Sequence, residues 1–309
     1  MNPFPVVSSA EMKVVFGTEG SDHSHFAREF LLRYPLGAET EVHCCSVYSA
    51  SHIITATSHP FLGPMIADQI TQAVDDAREH AEKVSTEAAA AFPNSKAVIL
   101  EGDAAHSLAK YSEDQHADMT VLGSRGQSTF ETLLLGSVTR TLANDANLDL
   151  LVTRKRDFAL PAGISAMFAT DHSDFAEGVA AKLPSLVNGK FKSLEVVSVM
   201  DRESKDLLYA FPRAKKGENW PEMEKSMEEW LRQKTEEVAV QLHPLTEVVT
   251  SSIQYGHDRD TIVSHAGATG CDLVIIGAKG RTGLSRLLLG SVSHYVLNRA
   301  KCSVMILRA

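Results

Sequence analysis

A chain of 309 residues that is 44% apolar and 22% charged is too apolar for disorder and long enough for two domains of ordinary size. Its net charge of −9 disfavours general binding to nucleic acid or to an anionic membrane, and no run of about 18 apolar residues is present to cross a bilayer. The N-terminal MNPFPVVSSAEMKVV lacks the basic-then-apolar order of a secretory leader, so a cytoplasmic location is expected.

Short Val-, Ile- and Leu-rich runs alternate with amphipathic stretches. In the first half, strands are expected at 12–17 (MKVVFG), 41–48 (EVHCCSVY), 96–102, 118–123 (DMTVLG) and 148–154 (LDLLVTR). All read as strands buried on both faces. Helices are expected at 23–34, behind a Ser-Asp cap, at 65–92, which is Ala-rich and Gly-free, at 105–116 and at 137–145. The second half repeats the order, with strands near 163–169, 192–200, 246–254, 272–277 and 302–308 and helices near 174–187, 221–242, 258–267 and 291–299. Such alternation implies an α/β fold, each half a doubly wound parallel sheet of five strands. RKRDFALPAG (154–163) joins the halves, giving expected domains 1–156 and 157–309. The loops 49–64 and 201–220 follow strand ends and are expected to lie over a ligand crevice.

The halves are copies of one unit. LLLGSV stands at 133–138 and again at 287–292. Upstream of the first lies Gly123-Ser124-Arg125-Gly126 and upstream of the second Gly277-Ala278-Lys279-Gly280, each followed by nine residues and then Gly136-Ser137 or Gly290-Ser291. Side-chain-free positions bring backbone N–H groups close to a ligand, and a helix N-terminus attracts anions. Ser137 and Ser291 are candidate N-caps. Arg125 in one copy, and Lys279 and Arg281 in the other, add cations. Together these suit a polyphosphate. The alternative is that the glycines only punctuate strand–helix turns. No P-loop and no G-x-G-x-x-G is present.

Glu19 and Asp171 end the first strand of each copy, beside the glycine-bearing strand if the sheet is doubly wound. They could accept hydrogen bonds from a base or ribose, or merely cap the following helix. The thirteen histidines include no H-E-x-x-H, and His23 and His25 diverge on their helix, so no metal site is expected. The four cysteines, Cys44, Cys45, Cys271 and Cys302, form no C-x-x-C pair and are expected as buried thiols.

G-x-x-G, nine residues and G-[ST], after DLVIIG and before SVMILR, resembles the ATP-binding branch of the universal stress protein family. The likeness covers nearly the whole chain as two tandem domains. It implies an adenine nucleotide alpha hydrolase-like fold with ATP, carried with Mg2+, at the strands' carboxyl ends. Thr18, Glu19 and Val47, with Thr170, Asp171 and Val199 in the second copy, would then meet the nucleoside. Leu122, Gly123 and Gly126, with Ile276, Gly277 and Gly280, would line ribose and phosphates. Gly136, Ser137, Val138 and Thr139, with Gly290, Ser291, Val292 and Ser293, would hold the phosphate tail. The family's usual aspartate is Glu19 in the first copy, and its common D-G-S reads Asp171-His172-Ser173 in the second. Family members pair through the last strand, so the halves would form a pseudo-dimer, with a homodimer of chains left open. The resemblance implies a regulatory ATP-binding switch rather than a dedicated catalyst. A slow ATPase, an enzyme of adenylated substrates and an interaction protein with vestigial sites are the alternatives, and no catalytic constellation repeats in both halves.

Overall fold

The computed structural model describes residues 12–49, 63–126, 135–144, 148–156, 161–201, 220–280 and 289–309. The chain divides into two compact units, the second comprising Pro161–Ala309 together with Arg33–Pro35. The boundary expected after residue 156 adjoins 157–160, which lie outside the described residues, as do most of the loops 49–64 and 201–220 and also Arg281.

In the first unit the elements are β1 (Lys13–Gly17), α1 (Asp22–Leu31), β2 (Glu41–Tyr48), α2 (Gly63–Ala89), β3 (Ser95–Glu101), α3 (Ala104–Asp114), β4 (Met119–Gly123), α4 (Ser137–Ala143) and β5 (Leu150–Thr153). Its strands lie in the order β3-β2-β1-β4-β5, with every pair parallel. The second unit repeats this with β6 (Ser165–Ala169), α5 (Asp174–Lys182), β7 (Ser193–Met200), α6 (Trp220–Leu242), β8 (Val249–Tyr255), α7 (Asp258–Thr269), β9 (Leu273–Gly277), α8 (Ser291–Arg299) and β10 (Ser303–Leu307). Its order is β8-β7-β6-β9-β10, again parallel.

Right-handed crossovers put α1 and α2 on one face and α3 and α4 on the other; α2 lies on β2 and β3, and α3 packs on α4. Covered on both faces, β1 buries Val14, Val15 and Phe16 completely, each worth about 1.5–3 kcal/mol. The order reverses between β1 and β4, and between β6 and β9, which opens a crevice at the strands' carboxyl ends.

Three expectations need correction. β3 and β8 are not buried on both faces; they are edge strands, and both show the same half-exposed pattern. Charges at Lys96 and Glu101 suit such an edge. The helix expected over 174–187 ends at Lys182, because Pro184 cannot continue the hydrogen-bond ladder and the chain tightens into a 3₁₀ turn at Leu183–Leu186. Third, the last helices of the two units are capped by Gly136 and Gly290 and not by the serines that follow them.

Candidate functional site

Each crevice starts where β1 or β6 ends. Thr18 N–H donates to Cys45 O at 2.9 Å and Thr170 N–H to Val197 O at 3.0 Å, so the sheet's bonding runs one residue past the strand. The carboxylates follow. Neither Glu19 nor Asp171 is the helix cap. That role belongs to Ser21 and Ser173, whose hydroxyls accept from Ser24 N and Ala176 N. The same hydroxyls hold the carboxylates: Ser21 Oγ donates to Glu19, and Ser173 Oγ donates to Asp171 Oδ1 at 2.6 Å, joined there by Ser173 N–H at 3.0 Å. Burial pushes the Glu19 carboxyl above its usual range, against the opposing pull of the Ser21 hydrogen bond.

Across the switch point, β4 and β9 end on Gly123 and Gly277. Gly126 and Gly280 then turn against the carboxylates. A Cβ on Gly280 would stand 2.8 Å from Asp171 Oδ2, so no side chain fits without displacing the acid; on Gly126 it would stand 3.7 Å from Glu19 Oε1. The second glycine element docks on this same turn. Gly136 N–H donates to Ser124 O at 2.9 Å and Gly290 N–H to Ala278 O at 2.7 Å. A Cβ on Gly290 would meet Ala278 O at 3.2 Å, and one on Gly136 would meet Arg125 Cα at 3.4 Å. Acid, first glycine turn and second glycine element therefore form one packed cluster in each unit.

The caps of α4 and α8 differ from expectation. Gly136 and Gly290 are the N-caps, extended at φ −61° and making no side-chain cap bond, and Ser137 and Ser291 are the first helical residues. A glycine cap leaves the helix's first N–H groups without an intrahelical or capping partner, which is the arrangement an anion needs. Thr139 and Ser293 also turn away from a direct phosphate role for their side chains. Thr139 Oγ1 donates to Gly123 O at 3.0 Å and Ser293 Oγ to Gly277 O at 2.6 Å, tying the helix to the strand end.

The remaining expected residues share the same edge. Leu122 and Ile276 are the buried penultimate residues of β4 and β9, and Val47 and Val199 sit part-exposed near the ends of β2 and β7. Val138 and Val292 lie in the first helical turns, half-buried. Arg125 and Lys279 occupy the glycine turns. In the first unit Arg125, Lys155 and Arg154 all act on His23, and burial together with these cations keeps that imidazole's pKa low.

One group was not anticipated from the sequence. His172 takes a positive φ of 55°, where the first copy has Gly20 at 76°. Its Nε2 lies 2.8 Å from Ser198 Oγ and 3.3 Å from Thr235 Oγ1, and its ring meets Trp230 edge-on at 5.7 Å. Ser198 and Thr235 are buried. A polar residue inside the apolar run EVVSVM was the available signal.

A family model described as the universal stress protein family matches residues 12–154 and again 166–308. Over 150 residues the chain is 26% identical to a universal stress protein of Methanocaldococcus jannaschii, spanning 46% of this chain and 82% of that one. Over 197 residues it is 28% identical to a universal stress protein of Mycobacterium bovis, spanning 62% of each. The crystal structure of a universal stress protein from Archaeoglobus fulgidus matches with a TM-score of 0.59 at 18% identity, over 96% of this chain and 98% of that one, a likeness of fold. No helix among the described residues is long and apolar enough to cross a membrane. Matched twice and over nearly its whole length, the chain belongs to the universal stress protein family as a tandem of two family domains.

Proposed function

We propose that the protein is a regulatory switch that binds ATP in both crevices. The observation that carries this reading is the cluster of acid, glycine turn and glycine-capped helix, built the same way in both units. A cradle that a Cβ would fill is shaped for backbone to approach a ligand, and helix N–H groups beside Arg125 or Lys279 suit its phosphates.

In this reading Thr18, Glu19 and Val47, and Thr170, Asp171 and Val199, meet the nucleoside. Leu122, Gly123 and Gly126, and Ile276, Gly277 and Gly280, line the ribose and first phosphates. The first-turn N–H groups of Ser137, Val138 and Thr139, and of Ser291, Val292 and Ser293, hold the phosphate tail. Mg2+ would travel on the phosphates, since among the described residues no group of three or more His, Cys, Asp or Glu could hold a metal. A ligand that binds one form of a protein more tightly than another shifts the population toward that form, which is what a switch requires.

Calorimetric titration of nucleotide-stripped protein with ATP and Mg2+, beside Gly136→Val, Gly290→Val and the double variant, tests this. Circular dichroism checks each fold and phosphate release is followed in parallel. Saturable binding, reduced in each single variant and lost in the double, without turnover, is expected. No binding by the wild type would sink the reading, and rapid phosphate release would make the protein a catalyst instead.

A further inference from the structure

At the opposite end of the second unit's sheet, before β9 and β10 begin, Cys271 Sγ and Cys302 Sγ stand 3.9 Å apart. We propose that these two thiols are an oxidation site, converted by a hydroperoxide into a disulfide within the second domain. The proposal is independent of nucleotide binding.

The geometry is already close. A disulfide needs its sulfurs about 2 Å apart, and the residues beneath these thiols are pinned. Asp272 Oδ2 accepts from Ser165 N at 2.9 Å, Asp272 N donates to Ser165 O at 2.8 Å, and Ser303 N donates to Asp272 O at 3.1 Å. With the backbone held there, closing the gap falls to rotation of the two side chains. The corresponding positions of the first copy are Ala117 and Leu148, so that copy has neither thiol and the second has both.

Cys44 and Cys45 offer no such pair. They are neighbours in β2, where adjacent side chains point to opposite faces, and at 0% and 1% exposure they are buried more deeply than Cys271 and Cys302. Burial pushes the Cys44 thiol up to about 12 and Cys45 higher still, which removes the thiolate that attacks an oxidant.

Cys271 is the more exposed residue of the two, at 7% against 4% for Cys302, and is taken as the attacking thiol. Its thiolate attacks one peroxide oxygen; the O–O bond breaks, a sulfenic acid forms, and the departing oxygen leaves as water after taking a proton. The Cys302 sulfur then attacks the sulfenic sulfur, the S–O bond breaks, and a second water leaves. Two thiols lose two electrons and two protons, and hydrogen peroxide is reduced to two waters.

The test treats the full chain with hydrogen peroxide, caps remaining thiols by alkylation in denaturant, and maps peptides without reduction. A Cys271–Cys302 cross-linked peptide that a thiol reductant reverses is expected, with Cys44 and Cys45 recovered alkylated. Cys302→Ser should give no cross-link and leave a trappable sulfenic acid at Cys271. Cys271→Ala, which restores the first copy's residue, should give neither. Recovery of Cys271 and Cys302 as alkylated thiols from oxidised wild-type protein would overturn the proposal. So would their appearance as sulfonic acids, or in cross-links between chains.

Discussion

His172 occupies a backbone conformation that costs a non-glycine residue about 1 kcal/mol or more, and its hydrogen bonds show what offsets that. Thr235 Oγ1 gives its proton to Leu231 O at 2.6 Å. It must therefore accept at the 2.7 Å contact with Ser198 Oγ. Ser198, with its one proton committed, must accept from His172 at 2.8 Å. The proton count thus places hydrogen on Nε2 and runs a single directed chain from the crevice loop into α6. His172→Gly loses the head of this chain but relieves the backbone, whereas His172→Ala loses it and keeps the strain. Thermal unfolding should rank wild type first, Gly next and Ala last, with Ala about 1 kcal/mol below Gly; Ala equal to or above Gly would refute the strain argument. Glu19 offers a test by pH. Burial raises its folded pKa above the usual 4.5, so the fold favours the protonated acid. Its contribution is then most favourable below that value and declines as pH rises through the folded pKa. Glu19→Gln cannot ionise and can still accept from Ser21. It should unfold at a higher temperature than wild type at pH 7, by a margin that shrinks as pH falls through the raised folded pKa towards 4.5. A margin independent of pH would show that ionisation of Glu19 is not the cause.

At the scale of elements, the reassigned caps make a contrast that two serines can settle. Ser293 is buried and bonded to Gly277 O, while Ser291 is exposed at the first helical position. Ser293→Ala should cost about 1 kcal/mol of stability and, if α8 holds the phosphates as proposed, weaken ATP binding by loosening α8 from β9. Ser291→Ala should change stability by less than about 0.5 kcal/mol; the reverse order would restore Ser291 as the cap. The central strands were legible to within a residue or two because burial on both faces writes an unbroken apolar run, as in β1 and β9. The edge position of β3 and β8 was not, since KAVIL in β3 is as apolar as an inner strand and only topology exposes it. Pro184 was visible, but the apolar pattern past it reads as helix. The glycine elements and both carboxylates were legible through duplication. Which residue caps α4 or α8 was not, because Gly and Ser are both acceptable caps and their adjacency leaves the choice to packing. The His172 chain was hidden for a different reason. The aligned Gly20 of the first copy marks the positive φ, but nothing in the sequence ties His172 to Ser198 and Thr235, which lie 26 and 63 residues away.

For the whole molecule, duplication makes each unit a control for the other. The units share strand order, the edge pattern and the cluster of acid and glycines, but they differ at the acid itself. Asp171 takes a serine hydroxyl and a backbone N–H on Oδ1 and leaves Oδ2 against the Gly280 turn. Glu19 reaches further by one methylene and, at 3.7 Å from the Gly126 Cβ position, sits less tightly against its turn. If both crevices bind ATP, the second should bind more tightly, because its acid already lies against the glycine turn, with the Gly280 Cβ position 2.8 Å from Asp171 Oδ2, and has less distance to move on binding. Titration of wild-type protein should then show two events of unequal affinity. Asp171→Ala should remove the tighter event and leave the weaker, while Glu19→Ala should do the opposite. A single event abolished by Asp171→Ala and untouched by Glu19→Ala would mean that the first copy keeps the fold of a nucleotide site without its use. That result would make the protein a one-site switch carrying a partner domain of the same architecture.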